Sequence, residues 1–280
     1  MRIVEQSIGP RKKALMEDTQ FRQLLNRFGF SWTGYRKVRK GVKKRLARRM
    51  HAIHCRNIEE YIAAIQGDRE EWLQFESLMT VSISRFFRDR KLWEILRESM
   101  LPFLALKKSP VINVWSAGCA SGEEIYSFKI LWQDLRKSFS ALPEIYMLAT
   151  DMNPEYLDRA RTAVYPRSSL REVPTVIRNI YFKEIGRGRY ALRPGMKDEI
   201  VWQTHHLLSD PPEIEFDIIF LRNNLLTYYV NALKIPAVSR IVKRLADGGF
   251  LIIGSHESIP VELTELMPWK ESTLVFQKQI

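Results

Sequence analysis

Hydrophobic positions change their period once along this chain, near Lys107-Lys108-Ser109-Pro110. Before that point apolar residues recur at helical spacing. Phe21 to Phe28 marks a first helix that ends at Gly29, and Val38, Val42, Leu46 and Met50 mark a second. Ile58 to Ile65 and Trp72 to Leu78 give two more, split by Gly67-Asp68, and a last helix runs roughly from Asp89 to Leu101 before Pro102. After that point short apolar runs alternate with helical stretches: Val111–Trp115, Ile145–Thr150, Ile200–Thr204, Phe216–Leu221 and Phe250–Gly254. Near-continuous apolar strands alternating with helices predict a parallel sheet covered on both faces. Ser272–Gln279 reads as one more strand, paired antiparallel at an edge or in a hairpin. Between Tyr181 and Trp202, Gly186-Arg187-Gly188 sits between short strand-like runs, which predicts a small antiparallel insert over about 178–203. The expected division is a helical domain over 1–105 and an α/β domain over 106–280.

Charge and cysteines narrow the setting. The 280 residues carry a formal net charge of +12, and the excess is concentrated. From Ser31 to Asn57 there is no acid, while Arg36, Lys37, Arg39, Lys40, Lys43, Lys44, Arg45, Arg48, Arg49 and Arg56 crowd the segment. This is a basic helix with a narrow apolar stripe, suited either to solvation or to docking an acidic partner, nucleic acid or protein. Aromatic interleaving is thin, with Trp32 and Tyr35 at one end, which argues against a platform for stacking single-stranded bases. Cys55 and Cys119 are far apart and lack metal-ligand spacing, so a reducing compartment is expected. The opening Met1-Arg2-Ile3-Val4-Glu5-Gln6 has no signal-peptide character, and no apolar run approaches the ~20 residues that span a bilayer. A cytoplasmic monomer without membrane insertion is the expectation.

The candidate chemistry lies at the strand ends, where parallel sheets bind ligands. The first strand opens into Gly118-Cys119-Ala120-Ser121-Gly122, followed by Glu123-Glu124. Glycines there allow a sharp turn and close approach of a ligand, which makes Gly118 a candidate binding residue. A pyrophosphate docked on the following helix start would meet two carboxylates and be repelled. A ligand bearing hydroxyls, an ammonium or a sulfonium would not, and S-adenosylmethionine fits that description better than a dinucleotide. After the second strand comes Asp151, placed to accept both ribose hydroxyls of an adenosyl group or, alternatively, to cap the helix from Pro154, a task Asn153 suits better. His205-His206 follows the third strand and Arg222-Asn223-Asn224 the fourth. Adjacent histidines on a strand point to opposite faces, so no metal site is expected. Cys119 sits where the turn needs a small side chain, and no nucleophile-base pair is legible.

Several ordered segments closely resemble the chemotaxis receptor glutamate methyltransferases, the CheR family. They are Ser84-Arg85-Phe86-Phe87-Arg88-Asp89, Trp115 to Ser127, Ala149-Thr150-Asp151-Met152-Asn153, Phe216 to Tyr229, and Gly254-Ser255-His256-Glu257-Ser258. The arginine-rich run Lys44 to Met50 is similar to the family's helical amino-terminal domain. The resemblance implies a Rossmann-like class I methyltransferase sheet with an all-helical N-terminal domain and a small antiparallel β insert. It implies transfer of a methyl group from S-adenosylmethionine to glutamates on chemoreceptor cytoplasmic helices, leaving S-adenosylhomocysteine. Carried over residue by residue, it implies donor contacts at Ser82, Ser84, Arg88, Glu123, Asp151, His206, Arg222 and Asn223. Arg88 would face the donor's carboxylate, and Tyr228 would line the transfer site with it. Arg45, Arg48 and Arg49 would dock the acidic receptor helix. The chain departs from the family pattern where Thr is common at Ser84, Asn or Asp at His206, and Pro at Ile125. The His206 change alters the hydrogen-bonding pattern beside the adenosyl group.

Methyl transfer to a carboxylate needs alignment and desolvation rather than a strong base, so the absence of a catalytic dyad is no objection. Two other readings stay open at this level: a divergent module that binds the donor or its product with little activity, and a methyltransferase acting on nucleic acid. No binding of nucleic acid is expected under the leading reading.

Overall fold

The computed structural model describes residues 16–81, 83–106, 109–139 and 141–279. The chain divides into two compact units, one ending at Val81 and the other beginning at Ser82. Among its described residues the first unit holds five helices: α1 (Asp18–Arg27), α2 (Trp32–Tyr35), α3 (Arg39–Ala52), α4 (Ile58–Gly67) and α5 (Arg69–Met79). Phe21, Leu24, Tyr35, Val42, Leu46, Tyr61 and Phe75 are buried at its centre. The basic helix α3 is fixed by side chains that its composition alone does not reveal. Lys43 is buried and meets Asp18 at 2.7 Å, and the Arg45 guanidinium donates to the carbonyls of Leu78 (2.8 Å) and Thr80 (2.7 Å), closing the end of α5.

The second unit contains the helices α6 (Arg90–Ile95), α7 (Leu101–Ala105), α8 (Glu123–Leu135), α9 (Pro154–Thr162), α10 (Thr175–Tyr181), α11 (Leu225–Tyr228) and α12 (Asn231–Val242). Its strands are β1 (Val111–Ala117), β2 (Glu144–Asp151), β3 (Val164–Pro166), β4 (Phe182–Gly186), β5 (Arg189–Leu192), β6 (Ile200–Thr204), β7 (Phe216–Leu221), β8 (Leu245–Ile253), β9 (Leu266–Pro268) and β10 (Val275–Lys278). Seven strands form one sheet in the order β6-β2-β1-β7-β8-β10-β9. The first five are parallel, and β10 runs antiparallel to both β8 and β9. The order reverses at β1, whose neighbours are β2 and β7, so the crevice for a ligand opens between the ends of β1 and β7.

Period-2 alternation explains why these runs become interior strands. On one face Ile112, Val114, Met147, Ile218, Phe220, Phe250 and Ile252 share a core with α8. On the other, Trp115, Ala117, Leu148, Ile219, Leu221, Leu251 and Ile253 pack with Val238 and Ile241 of α12. Residues pointing to either side are apolar, so the strands read as continuous runs.

Two expectations about boundaries change. The stretch 83–105 belongs with the sheet unit, because Leu92, Trp93, Leu96, Met100, Leu101 and Leu104 join the core of Ile112, Val114 and Phe128. The insert is a three-stranded antiparallel sheet, β3-β5-β4, and its third member β3 comes from outside the expected range. Ile200–Thr204, read both as a sheet strand and as the end of the insert, is the edge strand of the main sheet, paired in parallel with β2 from Met147 to Asp151.

Phe86 anchors the segment before α6 against the insert. It is fully buried, with its ring perpendicular to those of Tyr165 (4.8 Å) and Phe182 (4.9 Å), and its N–H donates to the Ser169 carbonyl at 3.0 Å. Phe86→Ala is expected to destabilise the sheet unit by about 3–5 kcal/mol in urea denaturation, as large-to-small changes at closed core sites do.

Candidate active site

The turn after β1 is held from below by β2. The N–H groups of Gly118 and Cys119 both donate to the Thr150 carbonyl at 2.8 Å, and the Ala120 N–H donates to Asp151 Oδ2 at 2.9 Å. Gly118 and Gly122 have φ of +84° and +86°, which glycine adopts without strain. A Cβ on Gly118 would lie 2.3 Å from Asn224 Nδ2, and one on Gly122 would lie 2.9 Å from the Trp202 ring. Here the glycines make room for protein atoms: Asn224 reaches across to the Ala117 carbonyl (2.6 Å) and ties the β7 loop to the turn.

The two glutamates that open α8 have different fates. Glu124 is consumed by the fold: Oε1 accepts from the Ser116 hydroxyl and Oε2 from Arg222, both at 2.8 Å. Glu123 is buried, Oε1 accepts from Ser169 at 3.4 Å, and Oε2 has no hydrogen-bond partner among the described residues. Burial pushes its carboxyl above the ordinary range, opposed by hydrogen bonds that include the Ser84 and Ser169 hydroxyls. Asp151, at the end of β2, is buried and accepts from the N–H groups of Ala120 and Asn153, each at 2.9 Å. Its carboxyl is also raised by burial, with those amides pulling it down. The Asn153 side chain caps α9 by accepting from the Glu155 N–H at 3.0 Å, so the cap does not call on Asp151.

Arg222 is the most enclosed cation of the site, with a side chain only 3% exposed. Its Nη1 donates to Glu124 and its Nη2 to Asp89 Oδ2 (2.6 Å) and to the Arg88 carbonyl (3.2 Å). This residue, expected among the donor contacts, is thus committed to two carboxylates of the protein. Asn223 follows with φ of +57°, and its N–H donates to Glu257 at 2.8 Å. Arg88 donates to the Ile83 carbonyl at 2.8 Å and lies near Tyr228. Burial raises the Tyr228 hydroxyl, partly offset by the Arg88 charge, so Tyr228 remains a protonated donor at neutral pH.

His206 Nδ1 accepts from the Leu208 N–H at 3.1 Å, so a neutral ring carries its proton on Nε2. His205 packs edge-on against Trp115 at 5.7 Å, with Nε2 3.0 Å from the Asp210 carbonyl, and burial lowers its pKa. The chain therefore brings Glu123, Asp151, Arg222 and Asn223 together around the ends of β1, β2 and β7, with Arg88 and Tyr228 beside them. Ser82 lies outside the described residues. Within the helical unit, Arg45 is engaged by the end of α5 and Arg49 pairs with buried Glu71 (2.9 Å), while Arg48 is exposed. Sequence reasoning gave no role to Asp89, which precedes α6, to Ser116 near the end of β1, or to Glu257 in the loop after β8.

A doubly wound parallel sheet with an antiparallel pair at one edge, an acid at the end of the second strand and a carboxylate on the glycine turn defines a class I S-adenosylmethionine-dependent methyltransferase. Residues 82–275 match the CheR methyltransferase SAM-binding domain and residues 19–80 the CheR methyltransferase all-alpha domain, and the chain belongs to this family. A chemotaxis protein methyltransferase of Listeria monocytogenes is 35% identical over 200 residues, covering 71% of this chain and 74% of that protein. Chemotaxis protein methyltransferase 1 of Vibrio cholerae is 30% identical, covering 65% of this chain and 66% of that protein. An uncharacterized 104.1 kDa protein of Rhodobacter capsulatus is 29% identical over 78% of this chain, which spans only 23% of that protein's length. Among solved structures, a putative class I S-adenosylmethionine-dependent methyltransferase from Listeria monocytogenes has a TM-score of 0.39 at 9% identity, covering 75% of this chain and 68% of that one. That likeness carries no argument, and the fold class rests on strand order.

The residues present fit the methyl donor. Glu123 Oε2 is a buried acceptor with no partner among the described residues, suited to the donor's ammonium. Asp151, although both oxygens accept from backbone amides, retains acceptor capacity for a ribose hydroxyl. Glu123 must be ionised to hold an ammonium, and its carboxyl is raised, so protonation competes at a higher pH than the ordinary 4.5. S-adenosylhomocysteine affinity measured by calorimetry is expected to fall as pH drops from about 7 toward 5, and Glu123→Gln to flatten that dependence while lowering affinity about tenfold or more. The sign for stability is opposite: a raised acid contributes most below its unfolded pKa and loses that contribution as pH rises. The ligand-free Glu123→Gln protein is therefore expected to be at least as stable as wild type at neutral pH.

Proposed function

We propose that this protein methylates glutamate side chains on the acidic cytoplasmic helices of a methyl-accepting chemoreceptor. The observation that carries this reading is an exposed cationic row on the helical unit, Arg36, Lys37, Lys40, Lys44 and Arg48, in a chain that also builds a methyl-donor site. Lys40, Lys44 and Arg48 recur every four residues and so stand on one face of α3, with no acid in the helix. Such a row is complementary to a helix rich in glutamate, and it refines the expected docking set: Arg48 remains, while Arg45 and Arg49 hold the fold. Support also comes from the relatives, which are named for chemotaxis.

S-adenosylmethionine supplies an electrophilic methyl on a positively charged sulfur. A glutamate carboxylate is already ionised at neutral pH, so the side chains of this chain bind, orient and exclude water. Glu123 and Asp151 hold the donor's ammonium and ribose. Arg88 offers a guanidinium to a carboxylate, with fork geometry that matches two oxygens. Tyr228, kept protonated by burial, donates a hydrogen bond at the transfer site and orients the incoming carboxylate. Alignment of this kind supplies most of what the reaction requires.

Purified protein, methyl-labelled donor and a receptor cytoplasmic fragment test the reading. A base-labile label on glutamate-containing peptides is expected, because a methyl ester hydrolyses in alkali. Label in nucleic acid, or none in the receptor, overturns it. Combined Lys40→Glu, Lys44→Glu and Arg48→Glu substitutions are expected to raise KM for the receptor about tenfold at low salt, less at high salt, with donor affinity unchanged.

A further inference from the structure

Glu257 lies in the loop after β8, and its two oxygens join that loop to the one after β7. Oε2 accepts from the N–H of Asn223 (2.8 Å) and of Gly254 (2.7 Å), and Oε1 accepts from the Thr227 hydroxyl (2.6 Å). The carboxylate rests so closely on Gly254 that a Cβ there would lie 2.7 Å from Oε2 and 2.9 Å from Asn223 Oδ1. Asn223 itself has φ of +57°, a backbone conformation that persists only where its surroundings hold it. Two residues assigned to the site, Asn223 and Tyr228, flank the segment that Glu257 grips.

We propose that Glu257 is a positioning residue, a clasp that fixes the β7 loop so that Asn223 meets the methyl donor and Tyr228 faces the acceptor. It touches neither reactant and acts through three donors, two of them backbone amides that no side-chain substitution elsewhere can replace. The geometry also accounts for Gly254, whose lack of a Cβ lets the carboxylate reach both amides. The inference rests on the donor site and does not depend on the identity of the acceptor.

The test uses the full chain and S-adenosylhomocysteine as the probe. Glu257→Ala is expected to weaken its binding about tenfold, since two N–H groups lose their acceptor. It should also lower kcat on a receptor fragment by about a hundredfold with KM for that fragment little changed, because alignment is lost and docking is not. Glu257→Gln keeps an acceptor oxygen for both amides and should restore most of both quantities. Gly254→Ala, which pushes the carboxylate away without removing it, should resemble Glu257→Ala and decides the matter if that variant does not fold. Affinity within twofold of wild type in both Glu257→Ala and Gly254→Ala overturns the proposal, as does Glu257→Gln failing as badly as Glu257→Ala. If the wild type binds S-adenosylhomocysteine but does not label the receptor, the acceptor assignment falls and the clasp is still judged by binding.

Discussion

The pairing of Arg222 with Glu124 and Asp89 is the constraint on which the rest of the site depends. A guanidinium 3% exposed is tolerable only if its charge is met by carboxylates with good hydrogen-bond geometry. Glu124 lies in the first turn of α8, Asp89 precedes α6, and Arg222 follows β7, so satisfying one buried cation fixes three segments distant in sequence. Asp89 extends the network to the β8 loop through the Ser255 hydroxyl at 3.1 Å. The positions of Arg88 and Asn223, each next to a member of this network, follow from it.

Around that hub the protein separates two neighbouring acids by their surroundings. Glu124 is spent on structure. Glu123, one residue earlier, is buried with an oxygen unpartnered among the described residues, and burial raises its pKa. A buried acid with no cation beside it is unfavourable for the free protein and useful for a cationic ligand. The donor site is therefore built with an unmet requirement that an ammonium would satisfy. The same division runs through the basic helix, where Lys43, Arg45 and Arg49 hold the helical unit and Lys40, Lys44 and Arg48 face outward.

Much of this was legible in the sequence because it is local or periodic. The apolar runs mark the interior parallel strands, since both faces of β1, β7 and the ends of β2 and β8 are buried, and the glycine turn with Asp151 follows from position at strand ends. The commitments of Arg222 were not legible, because Glu124 and Asp89 lie 98 and 133 residues away. Arg45 and Arg49 looked like free surface charge for the same reason: their acceptors sit on α5. The strand β3 spans three residues, too few to show a period. The division between units was placed late because the helices of 90–105 carry the same spacing as those before them, and only their packing on β1 and α8 sets them apart.

A crystal structure of this chain with S-adenosylhomocysteine tests the account most directly. The account predicts the ligand's amino group against Glu123 Oε2, its ribose hydroxyls on Asp151, and Arg222 still paired with Glu124 and Asp89. An Arg222 released from both carboxylates to grip the ligand, or a ligand that leaves Glu123 Oε2 unpartnered, would contradict it.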